Sequence, residues 1–333
     1  MAGIEMSNES VLVTGATGFT GGKLAARLVQ NGEDVVAFVR PTSNTRQLEK
    51  LGVDCRQVDI RDPSSVKDHF SGISRVFHIA AAYRSEHVDH GEFHAVNVEA
   101  TRNLLDASVS AGVSRFVHCS TVGVQGVIED PPAAEDYRFN PGDHYQQSKL
   151  DGELLALEYF RDRLPGSVVR PVGIYGPGDT RFLKLFRPIQ KGRFVMVGKG
   201  DVLYHMTFID DLVDGFLLAM TEPRALGEVF TIAGPGYTTI RELVDTIADV
   251  LERPHPRLRV PFFPVYAASV VCDKLCRAIN VSPPLYPRRV EFFELDRAFS
   301  TEKAERLLGY RPKVSLEDGL ARTADWYREQ GLI

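Results

Sequence analysis

Cysteine is scarce in this 333-residue chain: Cys55, Cys119, Cys272 and Cys276 form no CxxC pair and have no histidine cluster beside them at metal-ligand spacing. Neither a metal site nor a disulfide framework is expected, and the four read as free thiols. Cys272 and Cys276 are one helical turn apart; a redox pair is one reading, and two small apolar side chains on one helix face is the simpler one. A basic block is also missing, since 39 Lys plus Arg face 44 Asp plus Glu for a net charge of -5. That disfavours a nucleic-acid partner, whose phosphates are held by a positive stripe. No apolar run is long enough to span a bilayer, so no integral membrane segment is expected. The longest, Val260–Cys272 (VPFFPVYAASVVC), carries two prolines and reads as a core or substrate-lid helix, with shallow membrane contact as the alternative. The opening MAGIEMSNES shows neither the basic start nor the apolar run of a secretory leader, which makes a cytoplasmic protein the default expectation.

What is present is an ordinary globular composition, 44% hydrophobic and 25% charged. At roughly 150 residues per domain the length suggests about two domains, enough to bury about 75% of the unfolded surface. Short β-branched runs alternate with stretches of helical period, the pattern of βαβ units and a parallel sheet. Strands are expected at Val11–Thr14, Val35–Val39, Arg56–Asp59, Val76–Ala80, Phe116–Ser120, Ser167–Arg170 and Val229–Ile232. Several are apolar throughout, as strands covered on both faces should be. Asp62 with Pro63 starts one helix and Gly32 follows another; Thr239 with Glu242 makes a capping box, and Ser300 can cap EKAERLLG. The alternation loosens after Arg170. The predicted organisation is α/β: a doubly wound parallel sheet of Rossmann type from residues 1–175 and 207–234, with a smaller discontinuous C-terminal substrate-binding cap from 176–206 and 235–333.

The first strand runs into Gly15-Ala16-Thr17-Gly18-Phe19-Thr20-Gly21 and then a helix. A glycine triplet alone is weak evidence, but strand, glycine turn, helix and second strand in succession make a mononucleotide-binding half. The backbone must turn tightly and approach a pyrophosphate with no Cβ in the way, and the helix N-terminus then faces the negative charge. Gly15, Thr17, Gly18, Phe19, Thr20 and Gly21 are therefore candidate cofactor contacts. The second strand ends Val39-Arg40-Pro41-Thr42-Ser43, with no acid to receive a ribose 2′-hydroxyl. An Arg there suits a 2′-phosphate, so NADP(H) is favoured over NAD(H).

Tyr145-Gln146-Gln147-Ser148-Lys149 opens a helical run 24 residues after Thr121, which ends the strand FVHCST. At this spacing Tyr145 and Lys149 share a helix face. Hydride transfer at a carbon bearing oxygen requires a proton to move on that oxygen, and a phenol with pKa about 10 is a poor base at neutral pH. A Lys149 ammonium favours the phenolate, and Thr121 can orient the substrate oxygen. The three form the candidate catalytic set.

These motifs together resemble the extended short-chain dehydrogenase/reductase superfamily, the NAD-dependent epimerase/dehydratase and 3β-hydroxysteroid dehydrogenase-like group, over nearly the whole chain. The resemblance implies that Asp59 and Ile60 flank the adenine and that Ala80, Ala81 and Ala82 line the cofactor. Ser120, Asn97 in the NVEATRN helix, and Pro171 with Gly173 in RPVGIYGPG complete the cofactor set, together with Tyr145 and Lys149. Ala100 replaces the usual glycine of that helix. Two departures bear on the substrate. Nucleotide-sugar members usually carry Asn where Gly173 stands and Arg where Tyr204 stands, and both groups would contact a diphosphate. The remaining stretches look like the sterol dehydrogenase branch. Tyr83, Phe182 and Tyr204 are candidate substrate contacts, with Leu183, Phe262, Phe263 and Tyr266 as further lid residues; Arg181, Arg288 and Arg289 could still grip a phosphate. The resemblance thus implies an NAD(P)-dependent alcohol dehydrogenase or ketone reductase for a bulky, sterol-like small molecule, with no metal. A nucleotide-sugar 4-epimerase or dehydratase is the alternative, and a non-catalytic NAD(P)-sensing protein the second. Family members often pair through a four-helix contact, which implies a homodimer through helices near 95–110 and 147–159.

Overall fold

Val11, Leu12 and Val13 are fully buried, and all five residues of Val35–Val39 are buried, so these segments must be covered on both faces. The computed structural model describes residues 9–83, 90–279 and 281–333; residues 1–8, most of the stretch read for a leader, lie outside them. Six strands come first: β1 (Ser10–Thr14), β2 (Val35–Val39), β3 (Asp54–Gln57), β4 (Ile73–His78), β5 (Arg115–Cys119) and β6 (Gly166–Pro171). Six shorter ones follow: β7 (Gly173–Tyr175), β8 (Met196–Val197), β9 (Leu203–Phe208), β10 (Val229–Ile232), β11 (Tyr237–Thr239) and β12 (Arg259–Val260). The main sheet is wholly parallel in the order β10-β6-β5-β4-β1-β2-β3. Its direction of winding reverses between β1 and β4, and the crevice at such a switch point is where open α/β sheets bind ligands. Beside it lie a three-stranded sheet β11-β9-β7 and the pair β12-β8.

Strand ends depart from the sequence reading where side chains compete for backbone donors. β4 stops at His78 because Thr14 Oγ1 accepts from the amides of both Ile79 and Ala80 at 3.1 Å, drawing the chain off the ladder toward the crevice. β3 lies two residues earlier than expected, leaving Asp59 in a turn whose carboxylate accepts from the Arg61 amide at 3.0 Å. The helix starts are local and match their residues. Asp62 accepts from Ser64 N at 3.0 Å with Pro63 at the first position, and Thr239 and Glu242 complete both halves of the capping box; the exception is the helix Glu302–Leu308, whose N-cap is Thr301, with Ser300 Oγ accepting from Glu302 N at 3.3 Å from one residue before it. Among the described residues no helix is long and apolar enough to cross a membrane.

Candidate active site

A cleft of about 1540 Å³ opens at the carboxyl ends of β1, β4 and β5. Ligand pockets for one small molecule occupy roughly 300–1,000 Å³, so there is room here for a dinucleotide and a second molecule. Gly15 has φ +72°, and a Cβ on it would lie 2.8 Å from Ala80 N; one on Gly21 would lie 2.3 Å from the Gly15 carbonyl oxygen. The turn therefore closes only with glycine at both places. Gly18 caps the helix Phe19–Gln30 without a side-chain bond, and no acid occupies the first turn. The amides of that N-terminus and its positive end face the cleft, as a pyrophosphate requires.

Arg40 is exposed on the cleft rim with Pro41, Thr42 and Ser43. Asp59 and Ile60 line the same end, but the Asp59 carboxylate is gripped by Arg61 at 2.9 and 2.7 Å. That contact holds Asp59 below the usual carboxylate range. Arg61 was missed by sequence reasoning, although an acid followed two residues later by Arg was the available signal.

Thr121, Tyr145 and Lys149 converge on the cleft floor. Thr121 Oγ1 accepts from Gly123 N at 3.1 Å, which leaves its proton free to donate. Asp143 caps the helix His144–Asp162 and sets the phase that places Tyr145 and Lys149 one turn apart on its cleft side. Tyr145 packs edge-on against Tyr83 and Phe93, with ring centroids at 5.4 and 6.1 Å. Lys149 is 3% exposed and donates to the Cys119 carbonyl at 2.6 Å; burial lowers its pKa. Burial also drives His78 down to about 3 and His118 well below the ordinary histidine value, with the Lys149 charge adding to both. The Cys119 thiol is pushed up to about 11 by burial. None of the three competes with Tyr145 as an acid–base group near neutrality. Ser120, 4% exposed, lines the cleft with its Oγ unpartnered, an orphan suited to a bound polar ring.

Ala80, Ala81, Ala82, Pro171 and Gly173 all border the cleft, but Asn97 does not. It is 1% exposed, its Oδ1 accepts from Ala82 N at 2.8 Å, and its Nδ2 donates to Ala82 O and Ser148 Oγ at 3.2 and 2.9 Å. Asn97 therefore clamps the alanine loop to the Tyr145–Lys149 helix rather than facing a cofactor.

Over the floor sits the second wall. Tyr83, Phe182 and Tyr204 line it. A Cβ on Gly173 would lie 2.9 Å from the Tyr204 hydroxyl oxygen and 3.2 Å from Cζ, so the two departures from the nucleotide-sugar pattern are one packing event. Tyr204 fills the space beside Gly173 and rests edge-on against Phe292 at 5.1 Å. Gly173→Ala is accordingly expected to displace Tyr204 and raise KM several-fold. Adding Tyr204→Phe, which removes the nearest atom, should recover most of that; steady-state kinetics of the single and double variants will check it.

Three of the four further lid residues are displaced from that wall, and the fourth is solvent-facing. Leu183 is buried in the core, and Phe262 and Tyr266 stack on one another at 5.5 Å away from the cleft, while Phe263 is 79% exposed. The phase of the helix Phe262–Ala278 turns Val265 inward instead, with Leu285, Tyr286, Phe292 and Phe293 completing an apolar surface that the sequence reading did not single out. Arg181, Arg288 and Arg289 reach the cleft, each already engaged: with Asp179 at 2.9 Å, with Asp143, and with the Pro284 carbonyl at 2.8 Å.

Comparison with known proteins places these features in context. The pattern of the "NAD dependent epimerase/dehydratase family" matches residues 11–233. Sterol demethylase protein B of Methylococcus capsulatus is 31% identical over 97% of this chain and 100% of its own length. The 2-alkyl-3-oxoalkanoate reductase of Stenotrophomonas maltophilia is 30% identical over 94% and 97%. The 3-beta-hydroxysteroid dehydrogenase of Mycolicibacterium neoaurum is 30% identical over 96% and 91%. Among solved structures, gox2253 superposes with a TM-score of 0.82 at 27% identity, covering 98% of this chain and 99% of that one.

Proposed function

Because the chain belongs to the NAD dependent epimerase/dehydratase family, we propose that it is an NAD(P)-dependent oxidoreductase interconverting a secondary alcohol and a ketone on a bulky, apolar, sterol-like small molecule. The observation that carries the substrate class is the second wall. Phe182, Tyr204, Val265, Phe292 and Phe293 give it a largely apolar surface, and Arg181, Arg288 and Arg289 are each engaged by partners within the protein. A diphosphate sugar would have to draw those three from their present partners. The names of the sterol demethylase and 3-beta-hydroxysteroid dehydrogenase relatives support the same class.

The residues present fit a dinucleotide: the glycine cradle that a Cβ would fill and the orphan Ser120 hydroxyl are both built for one. When bound, such a cofactor takes up or returns the hydride of the carbinol carbon. Thr121 donates to the substrate oxygen and fixes it near Tyr145. Tyr145 takes the hydroxyl proton during oxidation and returns it during reduction. Lys149 sits one turn below, where its charge favours the phenolate and its ammonium can hold a ribose hydroxyl. Tyr83 and Phe93 pack on the Tyr145 ring and limit its swing.

NADP(H) is the favoured cofactor, on Arg40 with Thr42 and Ser43 at the rim. Arg40→Ala is expected to weaken NADPH binding about tenfold, the scale of one charge-assisted contact, and to leave NADH nearly unchanged. Fluorescence titration of both nucleotides will check this. We further infer a cytoplasmic homodimer paired through the helices near 95–110 and 147–159, where Leu154 stands 46% exposed. The test of the reaction is direct. Dialysed protein should need added cofactor and turn over a hydroxysteroid or bulky ketone; tight cofactor retention with no net redox turnover would sink the reading in favour of an epimerase.

A further inference from the structure

The helix Phe262–Ala278 is apolar on its outer side as well as its inner one. Its outward arc carries Phe263, Ala267, Val271, Leu275 and Ala278, all exposed and continued by Ile279, whereas polar Ser269 is fully buried on the opposite side. A surface helix ordinarily turns a polar face to solvent. Phe263 is 79% exposed, Ile279 69% and Leu275 63%. With Leu258, Val271 and Val281 these are the six most exposed large apolar side chains among the described residues, all within 24 residues of sequence. Apolar residues scattered singly over a surface need no explanation, but a concentrated patch does.

Charge selects what covers it. Residues 257–289 hold Arg257, Arg259, Lys274, Arg277, Arg288 and Arg289 against one acid, Asp273. The other 300 residues hold the remaining 33 basic and 43 acidic side chains, so the segment is net +5 within a chain of net -5. Arg288 and Arg289 have partners within the protein, whereas Lys274 is exposed on the helix and Arg257 and Arg259 are exposed in the stretch that leads into it. A second copy seated symmetrically on this face would set like charge against like. We infer that the face docks on an anionic lipid bilayer, with the apolar arc at the acyl boundary and the basic side chains among the phosphates. The same helix turns Val265 into the cleft. A lipid-soluble substrate would then pass from the bilayer along Val265, Leu285 and Phe293 to the floor without crossing water. That route rests on the substrate class proposed above; the docking does not.

The experiment is flotation of the full chain with vesicles of phosphatidylcholine alone or with about a quarter phosphatidylglycerol. Wild type is expected to float at least about fivefold more with the anionic vesicles, and about 0.5 M salt should remove most of the excess by screening. The V271D/L275D variant alters residues outside the cleft and should lose at least about tenfold in flotation while keeping its Tm and its nucleotide affinity. Its turnover of a vesicle-borne substrate should fall while turnover of a water-soluble ketone is kept. Vesicle binding without activity on any sterol would overturn the substrate class and leave the docking standing. No binding by wild type, or equal binding by the variant, would overturn the docking. So would an oligomer that falls apart in V271D/L275D with no vesicle binding in either form, since the arc would then be a contact between copies.

Discussion

Tyr145→Phe is expected to lower kcat by about 10²–10⁴-fold, the usual contribution of a positioned acid–base group. The substitution keeps the ring that packs on Tyr83 and Phe93 at 5.4 and 6.1 Å, so the fold and the cleft should be unchanged. Only the proton carrier is lost. Nucleotide affinity should therefore stay within about twofold of wild type, because a loss confined to kcat marks an interaction made in the transition state. Lys149→Met should behave differently. Lys149 is 3% exposed and holds the Cys119 carbonyl at 2.6 Å, so its removal is expected to weaken nucleotide binding as well as turnover. Full activity in Tyr145→Phe would remove its phenol from the mechanism.

The difference between what the residues announced and what they concealed follows the range of the forces involved. Val35–Val39 was legible because a run of five apolar residues, three of them valine, between Gly32 and Pro41 is short enough for a strand covered on both faces. The glycine turn was legible because its constraint is local: φ +72° at Gly15 and a 2.3 Å approach at Gly21 admit no other residue. Tyr145 and Lys149 are related by helical period alone. Asn97 is the contrary case. Its motif was visible, but its task depends on Ala82 and Ser148, brought beside it from separate elements. Gly173 and Tyr204 read as two departures because nothing in a sequence says that residues 31 positions apart occupy one space. The lid was misassigned for a similar reason. Aromatic content suggests burial, but the phase of the helix Phe262–Ala278 against the body is a tertiary fact, and it sends Phe263 outward and Val265 inward.

The largest expected loss of stability lies beneath the catalytic floor. Glu153 and Arg170 are 0% and 1% exposed, and they meet in a fork with the Arg170 Nε at 3.1 and 3.2 Å from the two carboxylate oxygens. Arg170 Nη2 also donates to Glu153 at 2.5 Å, and a fourth bond runs from Arg170 Nη1 to the Glu135 carbonyl at 2.8 Å. Glu153→Gln leaves the shape intact and removes the counter-charge, stranding a guanidinium that cannot shed its proton. Breaking a buried pair from one side destabilises by about 3–5 kcal/mol, and in a domain of this size that lowers Tm by about 10 °C. Replacing both charges should be milder, because the cost lies in the orphaned ion and not in the absence of the pair. Glu153→Gln with Arg170→Met is therefore expected to be more stable than Glu153→Gln alone. Glu153 also stands one turn beyond Lys149, whose pKa it supports. The folded fraction of Glu153→Gln should accordingly show a Lys149 that loses its proton at lower pH, narrowing the alkaline side of the kcat/KM profile. Denaturation midpoints of the two singles and the double, read with that pH profile, separate the two effects. A double variant less stable than both singles would mean that the pair stabilises the fold outright.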